Sequence, residues 1–138
     1  MKVGVFGGSF DPIHRGHVEP VEAARRALGL DRVLFLPTAR PPHKPDRRFA
    51  PALARYAMAE LALLEREGLE VSTLELTGER PAYTVETLER LQVESPGDEL
   101  WLLVGSDSLA QLHTWRRFRD LLAGFPVAVL VRPRSESE

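Results

Sequence analysis

Residues 7 to 17 read Gly-Gly-Ser-Phe-Asp-Pro-Ile-His-Arg-Gly-His. Adjacent glycines let backbone N–H groups come close to a ligand, and a helix beginning just beyond them adds unpaired donors and the positive end of its dipole. His14 and His17 stand three residues apart at that helix start, share a face, and can both donate to phosphate oxygens. Phosphate binding is the chemistry this favours, the helix end alone attracting an anion by roughly 0.3–1 kcal/mol. Two plainer readings stand beside it. The glycines can merely make a turn, and a histidine pair at this spacing can ligate a metal, although no third imidazole or thiolate lies nearby. Neither the Gly-Lys-Ser/Thr loop nor the GxGxxG fingerprint is present in this turn. With no Ser/His/Asp or Cys/His arrangement suggested, a covalent enzyme intermediate is not required.

Such a turn needs a strand before it and a helix after it. Val3 to Phe6 is a short apolar run stopped by Gly7-Gly8, and Val18 to Leu28 is amphipathic at helical spacing. Val33 to Leu36 predicts a second buried strand, followed by a proline-rich loop to about Phe49. Leu53, Tyr56, Ala57, Leu61 and Leu64 recur as one face of a helix that opens at Pro51 and ends before Gly68. Leu69 to Leu76 is β-like, and Thr84 to Val93 is a helix with Thr84 as candidate N-cap. Leu100 to Val104 is a strongly buried strand and Val127 to Val131 the last strand, and the helical region Leu109 to Leu122 between them is interrupted near Trp115. Continuous apolar strands separated by helices predict an α/β fold, a doubly wound parallel sheet of about five strands with helices on both faces. Ligands of such sheets sit beyond the carboxyl ends of the strands, so loops 7 to 17, 37 to 48 and 105 to 108 are expected to converge on one crevice.

Bulk properties narrow the class further. At 138 residues the chain is the size of one domain, and its formal charge of -2 argues against wholesale nucleic-acid binding. No cysteine is present, no apolar run approaches a membrane span, and the start of the chain does not read as a signal peptide. A cytoplasmic protein with no membrane or nucleic-acid partner is expected.

The motif GGSFDPIHRGH resembles the signature of the nucleotidyltransferase superfamily, whose HxGH residues contact the ATP phosphates. Pro37 with Pro41-Pro42-His43-Lys44, then Tyr83 to Leu88, Gly105 to Ser108, Trp115 and Val131-Arg132-Pro133 together resemble the bacterial nicotinate-nucleotide adenylyltransferases. The match spans nearly the whole chain and implies a Rossmann-like sheet. It implies that His14 and His17 hold the ATP phosphates, with Gly7, Gly8, Ser9, Phe10 and Gly105 in the nucleotide pocket. Lys44 would meet the mononucleotide phosphate, its plainer reading being a solvated loop cation. Thr84 and Trp115 would form the pyridine pocket, against helix capping and core filling as alternatives. Asp107 would contact ribose or cap a helix, and Arg132 would approach the mononucleotide phosphate or remain a surface arginine.

The resemblance further implies Mg²⁺ carried mainly by the ATP phosphates, with no protein metal site, and leaves room for a homo-oligomer. Family members continue past the last strand into an ISSTxxR-like segment that nothing after Val131 matches. The expectation is therefore a nucleotidyltransferase domain over residues 1–138 that lacks the family's C-terminal segment. The expected activity is adenylyl transfer from ATP to nicotinate mononucleotide, giving deamido-NAD and pyrophosphate. Alternatives are a sister enzyme acting on nicotinamide mononucleotide or phosphopantetheine, and a catalytically weak nucleotide-binding module.

Overall fold

Side chains alternate across a strand, so an apolar run fills two cores when both faces are covered. Val3, Val5, Leu34, Leu36, Leu102 and Val104 bury on one face, whereas Val33, Phe35 and Leu103 bury on the other. The structure, a computed structural model, describes residues 1–10, 12–38, 51–76 and 83–131. Along the chain run β1 (Lys2–Gly8), α1 (Arg15–Leu28), β2 (Arg32–Pro37), α2 (Ala52–Leu63), β3 (Leu69–Val71) and α3 (Thr84–Glu94). They are followed by β4 (Glu99–Gly105), α4 (Ser106–Gln111), a 3₁₀ turn (Leu112–Thr114), α5 (Phe118–Gly124) and β5 (Val127–Leu130).

All strand pairs are parallel and their order is β3-β2-β1-β4-β5. Val18 and Val21 of α1 and Leu63 of α2 pack on one face, and Val85 and Leu88 of α3 with Leu121 of α5 pack on the other. The expected doubly wound sheet with helices on both faces is what forms. Gly4 lets the first face close: a Cβ there would lie 2.9 Å from Leu30, 3.1 Å from Val33 and 3.2 Å from Leu103. Helix α1 ends on Gly29, whose φ of 67° is the left-handed cap that glycine adopts without steric cost.

Several local expectations are corrected. β1 runs on through Gly7 and Gly8 instead of stopping at Phe6, because both residues stay in register with Leu36 and Pro37 of β2. The β-like segment keeps only Leu69–Val71. Beyond it the Ser72 side chain accepts the Leu74 N–H at 3.2 Å and Thr73 C=O accepts the Leu76 N–H at 2.9 Å, turning the chain away from the sheet. Thr84 is the first helical residue of α3, and Tyr83 is its N-cap with no side-chain cap bond. Helix begins at Ser106, three residues before the expected Leu109, while the break near Trp115 is present. There Arg117 stands left-handed at φ 54° and forks onto Glu89 of α3 at 2.9 and 3.0 Å.

The largest correction concerns α2. Leu53, Leu61 and Leu64 are 77%, 72% and 77% exposed, whereas Arg55, Ala59 and Leu63 turn inward and Arg55 is 1% exposed. Helical spacing selects a face but not which face meets the core, and here a polar bond made by Arg55 decides it.

Gly4→Ala is expected to lose about 1–3 kcal/mol through overpacking, seen as a lower urea midpoint with an unchanged slope.

Candidate active site

Strand β1 lies between β2 and β4, whose chains leave the sheet in opposite directions in the strand order. Ligand crevices of doubly wound sheets open at such a point. A cleft of about 690 Å³ occupies it, floored by Val5, Leu102 and Val104 and rimmed by Gly7, Gly8, Ser9 and Gly105. Leu36 and Thr38 from the end of β2 also line it. Two of the three expected loops thus converge, together with the first residues of the loop after β2; residues 39–50 lie outside the described residues.

The turn leaving β1 is held from beneath. Arg55 Nη1 donates to Ser9 C=O at 2.7 Å and to Thr38 C=O at 2.8 Å, joining the ends of β1 and β2 through one buried cation. Thr38 N–H donates to Gly8 C=O at 3.0 Å. Phe10 then adopts φ 47°, a conformation costly for a bulky residue, of order 1–3 kcal/mol. Burial of its ring against Phe6, Phe35 and His17, at centroid separations of 5.6, 5.7 and 5.2 Å, offsets that strain. Gly8 suits the same packing, since a Cβ there would press on the Phe10 ring at 3.1 Å.

His14 and His17 open α1 as a reciprocal cap. His14 Nδ1 accepts the Gly16 N–H at 3.0 Å, and His17 Nδ1 accepts the His14 N–H at 3.1 Å. The rings lie 3.9 Å apart between centroids, with His14 exposed and His17 half-buried. Unpaired N–H donors were expected at this helix end, but those of Gly16, His17 and Val18 are all taken by His14. A neutral imidazole that accepts at Nδ1 carries its proton on Nε2. Each ring therefore converts a capped backbone donor into an Nε2–H donor one ring further out. Neither histidine nor Phe10 lines the cleft itself; the buried Phe10 ring lies between His17 and Phe6, and Phe6 lines the cleft.

The cleft is also lined by Thr84 at the start of α3, Asp107 in the first turn of α4, and the half-buried Trp115. Arg116 and Tyr83 line it as well, with the guanidinium carbon 4.7 Å from the ring centroid. Arg116 was not singled out from sequence, since an arginine beside Trp115 looks like an ordinary surface residue, and Tyr83 was named only as part of the block that carries the resemblance, with no site role. Lys44 and Arg132 lie outside the described residues. Among the described residues no group of three or more His, Asp or Glu could hold a metal ion. No helix among them is long and apolar enough to cross a membrane.

The cytidylyltransferase-like family model matches residues 5–137. The Solibacter usitatus protein named "Probable nicotinate-nucleotide adenylyltransferase" is 43% identical over 134 residues, which cover 96% of this chain and 71% of the relative. The Herpetosiphon aurantiacus protein of the same name is 43% identical over 136 residues, covering 99% of this chain and 68% of the relative. The chain belongs to the nicotinate-nucleotide adenylyltransferase family. A solved Plasmodium falciparum nicotinic acid mononucleotide adenylyltransferase complexed with NaAD superposes with a TM-score of 0.81 at 15% identity, covering 99% of this chain and 77% of that one. At that identity the likeness is one of fold.

This member of the adenylyltransferase family also carries a buried acid at the cleft floor that sequence reasoning passed over. Glu75 is 8% exposed; its Oε2 accepts the Thr87 hydroxyl at 2.7 Å, and its Oε1 faces Gly7, 3.9 Å from where a Cβ would stand. Burial holds the carboxyl above the usual range, and the Thr87 bond offsets that only in part. A glutamate in a run of polar and apolar residues carries no such signal; only the turn over residues 72–76 brings it under the sheet end. Because its pKa is raised on folding, Glu75 weakens the fold as pH climbs through the folded value. Glu75→Gln should therefore match the parent melting temperature in acid, exceed it by a growing margin as pH rises from the ordinary carboxylate range to the raised folded value, and keep that margin at higher pH, as read by thermal unfolding across a pH series.

Proposed function

We propose that this chain transfers the adenylyl group of ATP to the phosphate of nicotinate mononucleotide, giving deamido-NAD and pyrophosphate. One observation carries it: a single cleft is lined both by a glycine turn that leads to two imidazoles and by an indole together with the first residue of a helix. The relatives' names supply the substrate class.

The mononucleotide phosphate is already a nucleophile. It attacks the ATP α-phosphorus in line, a new P–O bond forms, the α–β bridge breaks, and pyrophosphate leaves with the electron pair. Alignment of two bound reactants supplies most of what is needed, roughly 7–11 kcal/mol in favourable cases. In this assignment backbone from Gly7 to Phe10, with Gly105 across the cleft, holds the nucleotide, while His14 and His17 donate from Nε2 to its phosphates and stabilise charge on the departing pyrophosphate. Lys44 and Arg132 meet the acceptor phosphate. Trp115 stacks on the pyridine ring, backbone at Thr84 receives its carboxylate, and Asp107 holds ribose. Mg²⁺, when bound, neutralises triphosphate charge. Such an ion would be held mainly by phosphate oxygens and water.

The chain, incubated with ATP and each candidate acceptor, is expected to release pyrophosphate with nicotinate mononucleotide ahead of nicotinamide mononucleotide and phosphopantetheine; ATP binding by calorimetry without turnover on any acceptor would contradict the proposal. His14→Asn separates the two duties of that ring, because asparagine is a good N-cap but has no Nε2 donor. Its melting temperature should stay near the parent's while kcat falls by about 10²-fold, the usual scale for losing one such donor.

A further inference from the structure

Arg55 sits at a position of α2 where apolar spacing predicts a solvent-facing residue, yet it is 1% exposed. A guanidinium is always charged, and burying it is unfavourable unless it is hydrogen-bonded. It donates to two carbonyls from two different site loops, Ser9 after β1 and Thr38 after β2. Both of those residues line the cleft. In a trans peptide the C=O and N–H point opposite ways, so drawing Ser9 C=O toward the core turns the Phe10 N–H away from it. Phe10 is the left-handed residue of the turn, and its ring touches His17, which stacks on His14.

We propose that Arg55 is a positioning residue for the phosphates of the nucleotide: by pinning Ser9 and Thr38 from the core side it aims the Phe10 N–H, and through the Phe10 ring the imidazole pair, at the bound polyphosphate. The identity of the nucleotide rests on the adenylyl-transfer reading; the anion-binding turn does not. A second consequence is rigidity. Phe10 keeps its strained φ only while its ring stays packed and the peptide before it is fixed, and Arg55 fixes that peptide. Lysine at this position retains the charge but not the rigid planar group that holds Nη1 against both carbonyls, and its ammonium sits on a shorter, freely rotating stem.

Two measurements test this. In wild-type protein labelled with ¹⁵N, added pyrophosphate should shift the Phe10 backbone amide; a Phe10 amide that does not respond while pyrophosphate binds elsewhere overturns the inference, whether or not any variant folds. In Arg55→Lys, shown folded by circular dichroism, KM for ATP should rise about tenfold while KM for nicotinate mononucleotide stays within about twofold, a split that a general loosening of the fold does not produce. A folded Arg55→Lys with both KM values unchanged, or both raised alike, is equally fatal to it. Wild-type protein that turns over neither substrate, but whose Phe10 amide answers to pyrophosphate, removes the adenylyl-transfer reading and leaves this inference standing.

Discussion

The chain must leave the end of β1 without either following β2 further or collapsing across the strand ends. Gly7 and Gly8 remain paired in the sheet, Phe10 reverses direction at φ 47°, and α1 starts at Arg15. A phenylalanine in that conformation is unfavourable by itself. It is held because its ring fills a core position among Phe6, Phe35 and His17, and because the preceding carbonyl is bonded to Arg55. Gly8 leaves the space that the ring takes. The shape of the turn that rims the cleft is thus a by-product of core packing, which sets it before any ligand arrives.

Polar groups under the strand ends follow one logic. Arg55 and Glu75 are both buried, one beneath the β1 turn and one beside Gly7, and each is tied to an element that rims the cleft. Arg55 reaches backbone carbonyls that would otherwise lie unpaired out of water. Glu75 is tied to Thr87 on α3, the helix whose first residue is Thr84. Neither group sits where an apolar side chain would leave the loops equally well placed. Sheet ends expose carbonyls and amides that the next loop must satisfy, and in a cleft water is displaced by ligand, so protein groups have to do it.

The histidine pair shows how one motif can do two jobs. Each Nδ1 is spent on capping α1, which satisfies the Gly16 and His14 amides, and that same bond leaves the proton on Nε2. Capping and the donor direction are therefore one arrangement. A helix start capped by serine or aspartate would be as stable but would present no donor beyond itself.

The sequence by itself determined the layered parallel sheet, the glycine turn with its two imidazoles, and the break before α5, since each is written in local spacing: apolar runs, adjacent glycines, histidines three apart. It also singled out Thr84, Asp107, Gly105 and Trp115, which the fold gathers into the cleft with Gly7, Gly8 and Ser9. Tertiary structure alone decided which side of α2 faces inward, because Leu53, Leu61 and Leu64 keep the helical period while one arginine with two carbonyl partners outweighs them. It alone decided that Glu75 is buried and that Arg116 meets Tyr83, for these depend on residues 12 and 33 positions apart in the chain. Periodicity records what a segment does alone; a buried charge is placed by partners that only the assembled fold supplies.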